Sequence, residues 1–205
     1  PLVIVVSATG KTTNQLEEVI KQKFVQSDPA VQLLKAIQEK HNHIAQELEF
    51  EADHCIYQEI HEHIVEAEWV IEEDREMPFD YAYDQIVSVG ELISSRILHR
   101  WLEKIGLHAE WLDARELILT NDTYRDARIQ WNETNQKIQS RILPLLKTGK
   151  IIITQGFIGS TSENNTTTLG REGSDYTAAI LSSALQAEAM TIWKDVPGIL
   201  TADPA

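Results

Sequence analysis

TTTLGREGSD, residues 166–175, follows an apolar segment with the pattern of a strand (Ile151–Thr154) and precedes one with the pattern of a helix (Tyr176–Leu185). Glycine lets the backbone approach a ligand, a helix start offers free N–H groups and a positive dipole end, and Arg171 offers a guanidinium fork. The segment therefore predicts a site for a carboxylate or a phosphate. The alternative is an ordinary polar loop whose serine or aspartate caps the helix, and local composition does not decide between the two.

Strands of a parallel sheet are predicted where apolar, mostly β-branched residues form short continuous runs. The three main runs are Leu2–Val6, Ile151–Thr154 and Met190–Trp193, and a further strand is predicted at His108–Leu112. The polar loops that follow the three main runs are Ser7–Asn14, Gly156–Ser174 and Lys194–Gly198. Ligands of such sheets bind outside the carboxyl ends of the strands, so we expect the three loops to form one site.

Helical spacing of apolar residues accounts for most of the remaining chain. The predicted helices are Gln15–Phe24, two long helices between Pro29 and Glu73, one that begins at Pro78 and ends at Gly106, and Asn132–Leu146. Strands that alternate with helices over the whole length indicate an α/β fold with a mostly parallel sheet.

The charge of the chain limits its partners. Its 205 residues include 18 Lys and Arg and 32 Asp and Glu, a net charge of −14. A surface this acidic repels nucleic-acid backbones and anionic membranes, although a few cations can still bind an anion in a cleft. The only cysteine, Cys55, cannot form an internal disulfide. No signal peptide or apolar run of ~20 residues is visible, so we expect a cytoplasmic protein that binds neither nucleic acid nor membrane.

The segment GKTT, residues 10–13, invites comparison with the phosphate loop of nucleotide-binding proteins. That motif requires a glycine five positions before Gly10, but Val5 stands there. We therefore do not expect a phosphate-loop nucleoside triphosphatase. Thr12, Thr13 and Asn14 remain candidates for holding a small polar ligand at the start of a helix, and the alternative for them is simple capping of that helix.

The histidines of the second long helix do not predict a metal site. His61 and His63 lie about 200° apart around a helix, so they cannot share one ion, and His54 is two turns from His61. The acidic run 66–76 lacks any neighbour that would fix a coordination geometry. We interpret both features as solvated helix surfaces.

A glycine beside a carboxylate, Gly90-Glu91, interrupts the apolar pattern of the helix after Pro78. Glycine in a helix costs about 1 kcal/mol relative to alanine, so the position needs a reason. Gly90 could permit close helix packing with Glu91 at the surface. Alternatively, Glu91 could lie in the cleft and bind an ammonium group, and spacing alone leaves both possibilities open.

Four segments, taken together and in this order, resemble the catalytic domain of aspartokinases, which are members of the amino-acid kinase superfamily. They are SATGKTTN (7–14), SVGELIS (88–94), TQGFIGST with NNTTTLGREGSDYTAA (154–179) and IWKDVPGILTADP (192–204). The third segment is most similar to the monofunctional, lysine-sensitive type. The resemblance covers nearly the whole chain and implies that residues 1–205 are one catalytic domain, incomplete at both ends, with an αβα sandwich fold.

The resemblance also implies a reaction. An aspartokinase transfers the γ-phosphoryl group of ATP, with Mg²⁺, to the side-chain carboxylate of L-aspartate, the first step of lysine, threonine and methionine biosynthesis. The implied partners are L-aspartate and ATP, and the full-length protein is expected to be a cytoplasmic homodimer. Another amino-acid kinase, or a non-catalytic sensor of amino acids or nucleotides on the same fold, is the alternative.

The matching motif positions imply roles for nine residues. The implied substrate-binding residues are Ser7, Thr13, Glu91 (for the ammonium), Arg171 (for the α-carboxylate) and Ser174. Asp175 would organise the transfer site as the catalytic residue. The implied nucleotide-binding residues are Lys194, Asp195 and Leu200.

Three departures from the family pattern change these expectations. A lysine-containing glycine motif is expected on a strand before Pro1, so this chain alone should be nearly inactive. Glu172 stands where the family usually has a small residue, and its charge would be unfavourable near phosphates unless it points out of the cleft. Lys194 and Leu200 replace the commoner Thr and Tyr of the nucleotide loop, so adenine contacts there would differ.

Overall fold

The computed structural model describes residues 1–73 and 76–194. The strands are β1 (Leu2–Val6), β2 (Ala109–Trp111), β3 (Ile151–Gln155), β4 (Ile158–Ser160) and β5 (Thr166–Thr168). The helices are α1 (Thr12–Val25), α2 (Ser27–Glu47), α3 (Cys55–Glu72), α4 (Phe79–Val87), α5 (Val89–Lys104), α6 (Trp131–Lys147) and α7 (Gly173–Leu185). A short 3₁₀ helix, Ala114–Glu116, follows β2.

The main sheet is parallel, with β3 between β1 and β2. Leu2 lies beside Ile151 and Val6 beside Gln155, so β1 and β3 end together at the same edge. This register confirms the prediction of a parallel α/β sheet and explains why two polar loops meet: each leaves the carboxyl end of one of two neighbouring strands.

Helices cover both faces of this sheet. Val3, Val5 and Ile152 share one face, because side chains alternate along a strand, and they belong to an apolar cluster with residues of α6 and α7. α5 packs against β1, β2 and β3, and α1 and α3 pack against α5. The fold is thus the expected αβα arrangement. None of the helices within residues 1–73 and 76–194 is long and apolar enough to cross a membrane.

Two parts of the chain differ from the sequence-based expectation. The polar loop between β3 and α7 contains an antiparallel hairpin, β4 with β5, in which Ile158 pairs with Thr168. The helix predicted from Pro78 to Gly106 is two helices, α4 and α5, which meet at Ser88.

The strand predicted at Met190–Trp193 is wrong. These residues have no regular secondary structure, and Trp193 is 91% exposed. A strand needs a neighbouring strand for its N–H and C=O groups, and none of the described strands pairs with this segment. A short run of apolar and β-branched residues is therefore not sufficient to predict a strand.

Candidate functional site

A cleft of about 470 Å³ lies at the carboxyl ends of β1 and β3 and at the start of α7. Seven of the nine residues proposed from the sequence line it: Ser7, Thr13, Glu91, Arg171, Ser174, Asp175 and Lys194. The other two, Asp195 and Leu200, lie outside the described residues. Side chains from distant parts of the chain are thus brought to one place.

The loop after β1 separates two neighbouring threonines. Thr12 is fully buried, and its hydroxyl donates to the carbonyl of Thr9 at 2.7 Å. Thr13, in the first turn of α1, lines the cleft. Within residues 1–73 and 76–194 no side chain caps α1, so the capping alternative for these residues is wrong: Thr12 shapes the loop and Thr13 faces the cleft. Asn14 is exposed and does not line the cleft.

Gly90 allows α5 to approach the loop after β1 very closely. A Cβ atom at this position would lie 2.9 Å from Cβ of Ala8, too short for two carbon atoms, and 3.3 Å from Cγ2 of Thr12, a tight contact. The close packing brings the next residue, Glu91, into the cleft rather than to the surface. The close packing at Gly90 and the position of Glu91 in the cleft, which the sequence offered as alternatives, therefore occur together. Glu91 is buried and does not lie at the surface.

The Glu91 carboxylate is only 3% exposed and has few partners. Its Oε1 atom accepts a hydrogen bond of 3.3 Å from the amide of Ala8, and its Oε2 atom has no partner among the described residues. Burial without a counter-charge raises the pKa of Glu91 to about 8. A cation placed beside Oε2 would remove this penalty, so the position suits an ammonium group.

The start of α7 is open toward the cleft. α7 begins at Gly173, after Glu172, and no side chain among the described residues caps it, so the alternative of capping by Ser174 or Asp175 is wrong. Gly156, in the turn after β3, permits the contact: a Cβ atom there would lie 2.6 Å from Cβ of Ser174. The free N–H groups and positive dipole end of α7 are therefore available to an anion.

The three cationic side chains that line the cleft differ in their partners. Arg125 forms an ion pair of 3.1 Å with Asp80. Lys194 pairs with Glu172 and Asp175, as described below. Arg171, by contrast, makes no hydrogen bond or ion pair with any residue in the described part of the chain, which leaves its guanidinium group available for a ligand.

Lys194 joins two carboxylates at the mouth of the cleft. Its Nζ atom lies 2.9 Å from Oδ2 of Asp175 and 3.2 Å from Oε2 of Glu172. These contacts raise the pKa of Lys194, the hydrogen bond to Asp175 having the largest effect. Glu172 lines the cleft, and its ion pair with Lys194 offsets part of the negative charge that the sequence analysis considered unfavourable near phosphates.

Several cleft residues have no signal in the sequence. Arg125, Tyr83 and Glu17 line the cleft, and the hydroxyl of Tyr83 donates to Glu17 at 2.8 Å. The side chain of Arg125 comes from a loop without any recognisable motif. Glu17 stands beside Glu18 in a mostly polar stretch of α1, so nothing in the sequence distinguishes it from its neighbour.

The histidines play structural parts. The Nδ1 atom of His54 accepts from the amide of Ile56 at 3.1 Å and so caps α3, and His61 lies beside Gln38. Within the residues that the structure describes, no group of three or more His, Cys, Asp or Glu could hold a metal ion.

The sequence matches a known family and known relatives. The pattern described as the amino acid kinase family matches residues 1–205. The lysine-sensitive aspartokinase 3 of Escherichia coli is 46% identical over 121 residues, 59% of this chain and 27% of that protein. The aspartokinase of Chlamydia trachomatis is 32% identical over 211 residues, 100% of this chain and 44% of that protein. The chain thus spans less than half the length of these relatives.

The fold agrees with a solved structure. The crystal structure of E. coli aspartokinase III in complex with aspartate and ADP superposes with a TM-score of 0.89 at 34% identity. The match covers 99% of this chain and 44% of that chain.

Proposed function

The chain belongs to the amino acid kinase family, and on that premise we propose that its cleft binds L-aspartate and ATP in an aspartate kinase. Such an enzyme transfers the γ-phosphoryl group of ATP to the side-chain carboxylate of L-aspartate. One observation carries the proposal: Glu91 and Arg171 line the same cleft, and each offers an unpaired group of the charge that an amino acid requires. The similarity to aspartokinases supports the choice of substrate.

Glu91 binds the ammonium group of the substrate. In the free protein burial keeps its pKa at about 8, so the carboxyl group is mostly protonated at neutral pH. The substrate ammonium then ionises it and forms a charge-assisted hydrogen bond with Oε2. An acceptor without an ammonium group would not form this charge-assisted hydrogen bond and would leave Oε2 of Glu91 without a partner, which explains selectivity for an amino acid.

Arg171 binds the α-carboxylate. A planar guanidinium group forms two parallel hydrogen bonds with a carboxylate, and Arg171 has no other partner in the described part of the chain. The hydroxyl groups of Ser7, Thr13 and Ser174, which line the cleft, provide hydrogen bonds to the rest of the substrate. Together they fix the side-chain carboxylate toward the nucleotide.

The start of α7 and Lys194 receive the phosphates of ATP. The uncapped N–H groups of this helix favour an anion, and Lys194, which is paired with Asp175 and Glu172, lies beside them. We assign Asp175 the role of holding Lys194, from which it lies 2.9 Å. The proposed contacts of Asp195 and Leu200 with the nucleotide complete this half of the site.

Phosphoryl transfer needs little covalent chemistry from the protein. An oxygen of the substrate carboxylate attacks the γ-phosphorus, the bond from that phosphorus to the β–γ bridging oxygen breaks, and ADP leaves. No proton has to be removed, because the acceptor is already ionised. The chain contributes alignment of the two substrates and neutralisation of charge.

Asp175 and Glu172 would hold a magnesium ion beside the phosphates of ATP. Mg²⁺ in kinases uses one or two carboxylates together with substrate phosphates, and Asp175 and Glu172 are the carboxylates at the cleft mouth. When bound, Mg²⁺ neutralises charge on the phosphates.

We also propose that the full-length protein is a cytoplasmic homodimer. The support is the similarity to aspartokinases.

The decisive experiment measures ATP-dependent formation of 4-phospho-L-aspartate, trapped as the hydroxamate, by the full-length natural protein. We expect activity with L-aspartate and none with L-glutamate. Glu91→Ala and Arg171→Ala should each lower kcat/KM for aspartate by about 100-fold or more, the loss expected when a charged partner is removed.

Arg128→Ala is the matched control, because Arg128 is an exposed arginine that does not line the cleft. Full activity of the control with loss in both other variants supports the assignment. A full-length protein that binds ATP but never forms the hydroxamate would be a sensor rather than a kinase.

A further inference from the structure

Arg125 has a backbone conformation that is unusual for a residue other than glycine. It lies in the loop between β2 and α6, and its φ angle is 68°, in the left-handed region that favours glycine. The amide of Arg125 donates to both carboxylate oxygens of Asp84, at 3.0 and 3.2 Å. The surrounding structure thus holds an arginine in a conformation that a glycine would adopt more easily, which indicates a use for the side chain.

The guanidinium group of Arg125 lies at the edge of the cleft. Its carbon atom is 4.5 Å from the ring centre of Tyr83 and 5.8 Å from that of Phe79, and Tyr83 itself lines the cleft. Stacking on an aromatic ring restricts a guanidinium group while its N–H donors stay free at the edge. Its one ion pair, with Asp80, is about half exposed, so this pair is weak and easily exchanged for a ligand.

Arg125 and Arg171 stand on adjoining loops. A Cβ atom on Gly170 would lie 3.3 Å from the carbonyl oxygen of Arg125, so the backbones of the two loops are in contact. Both arginines line the cleft. Lys194 instead lies beside Asp175 at the start of α7, where we placed the phosphates. Two guanidinium groups are therefore available on the side of the cleft that we assigned to the amino acid.

We propose that Arg125 is a second substrate-binding residue and that it shares the α-carboxylate of the acceptor amino acid with Arg171. This inference rests on the proposed function, since it presumes that an amino acid occupies the cleft. A carboxylate has about four lone-pair sites, enough for two guanidinium forks. The second fork would strengthen the selection of a free α-carboxylate over an α-amide.

The test is Arg125→Gly in the full-length protein. Glycine accepts the positive φ and keeps the amide that Asp84 binds, so the variant should fold at least as well as the parent. We expect KM for L-aspartate to rise tenfold or more with KM for ATP unchanged, and the Kd of L-aspartate measured by calorimetry to rise by the same factor. Arg125→Lys keeps the positive charge but lacks the guanidinium fork, so its KM for L-aspartate should lie between those of the parent and of Arg125→Gly. Arg128→Ala, in the same loop, is the control.

A double-mutant comparison decides whether the carboxylate is shared. If Arg125 and Arg171 bind the same group, the losses in Arg125→Gly and Arg171→Ala will not add in the double variant. Additive losses, an unchanged KM for aspartate, or a rise in KM for ATP alone would each overturn the proposal. If the variant binds and phosphorylates aspartate like the parent, only this inference fails. If the parent itself neither binds nor phosphorylates aspartate, the proposed function fails and the role of Arg125 fails with it.

Discussion

Two buried carboxylates on consecutive helices, Asp84 in α4 and Glu91 in α5, have opposite surroundings. Asp84 is fully buried and accepts hydrogen bonds from the amide and the hydroxyl of Thr168, at 2.9 and 2.7 Å, and from the amide of Arg125. Glu91 is almost as buried but accepts one hydrogen bond of 3.3 Å from another residue and has an unpaired oxygen. The pKa of Asp84 is raised to about 6 and that of Glu91 to about 8.

The comparison separates structure from function. Both pKa values rise mainly through burial, but several hydrogen bonds to Asp84 favour its ionised form and limit the rise. Through these hydrogen bonds Asp84 connects α4 to β5 and to the loop that contains Arg125, two segments that are distant from α4 in the chain. Glu91 lacks such bonds, so its burial is unfavourable until a ligand supplies a cation. An incompletely paired buried carboxylate marks a binding site, whereas a fully paired one marks a structural junction.

The largest effect is expected for Glu91→Gln, which should have opposite effects on activity and stability. Removal of the carboxylate should lower kcat/KM for L-aspartate by about 100- to 1,000-fold, as for the loss of one partner of a buried ion pair. The pKa of Glu91 is higher in the folded state than its ordinary value of 4.5. Glu91 therefore lowers the free energy of unfolding progressively as the pH rises from about 4.5 to about 8. The variant should therefore be more stable than the parent at pH 9, by a few kcal/mol.

Urea unfolding at pH 5 and pH 9, together with the hydroxamate assay, measures both effects. If Glu91→Gln were less stable than the parent by the same amount at both pH values, the view that the buried Glu91 destabilises the folded state at high pH would be wrong.

Asp84→Asn should show the reverse pattern. An amide group in place of one carboxylate oxygen would present N–H groups to the donors of Thr168 and Arg125, so we expect a loss of about 2–3 kcal/mol in the free energy of unfolding. Below the unfolding temperature, KM for aspartate should change less than in Glu91→Gln. Asp80→Asn is the control, because Asp80 is exposed and makes one ion pair, and it should lose less than about 1 kcal/mol. If Asp84→Asn were as stable as the parent, Asp84 would not be the junction described here.

Aspartate binding should release protons through Glu91 and not through Asp84. With a pKa of about 8, Glu91 is mostly protonated in the free protein at pH 7 and becomes ionised when it meets the ammonium. The affinity should rise about tenfold from pH 6 to pH 7, about 1.4 kcal/mol, and level off above pH 8. Calorimetry in two buffers of different ionisation enthalpy measures the proton release. Glu91→Gln should abolish it, and binding without proton release in the parent would show that Glu91 is already ionised.

The smallest effect is expected for Glu172→Gly. Glu172, an exposed carboxylate with a φ of 57°, differs from both buried ones because its charge is paired with Lys194 in a solvent-accessible position. Glycine relieves the left-handed backbone and removes an exposed ion pair, so stability should change by less than about 1 kcal/mol. KM for ATP should change by less than about tenfold. A larger effect on KM for ATP would show that this pair positions the phosphates.

Much of the fold was predictable because it depends on local periodicity. The alternation of apolar runs with helical spacing predicted β1, β2, β3 and the helices, and the parallel register of β1 and β3 confirmed that their loops meet. The hairpin β4–β5 was missed because its strands, Ile158–Ser160 (IGS) and Thr166–Thr168 (TTT), are mostly polar or glycine and contain no apolar run. The strand at 190–193 was wrong because pairing depends on a neighbour that the local pattern does not show.

The sequence by itself determined the α/β class, the edge of the sheet where the cleft lies, and the residues of the aspartokinase-like motifs. Only the tertiary structure showed that Thr13 rather than Thr12 faces the cleft, that Glu91 is buried with an unpaired oxygen, and that Arg125 joins the site. The physical reason is that desolvation and pairing of a charge depend on groups far away in the chain: Ala8 lies 83 positions from Glu91. The periodicity of the sequence shows which residues share a face of a helix or strand. Whether a charged residue on that face is buried or paired depends on residues that are distant in the chain.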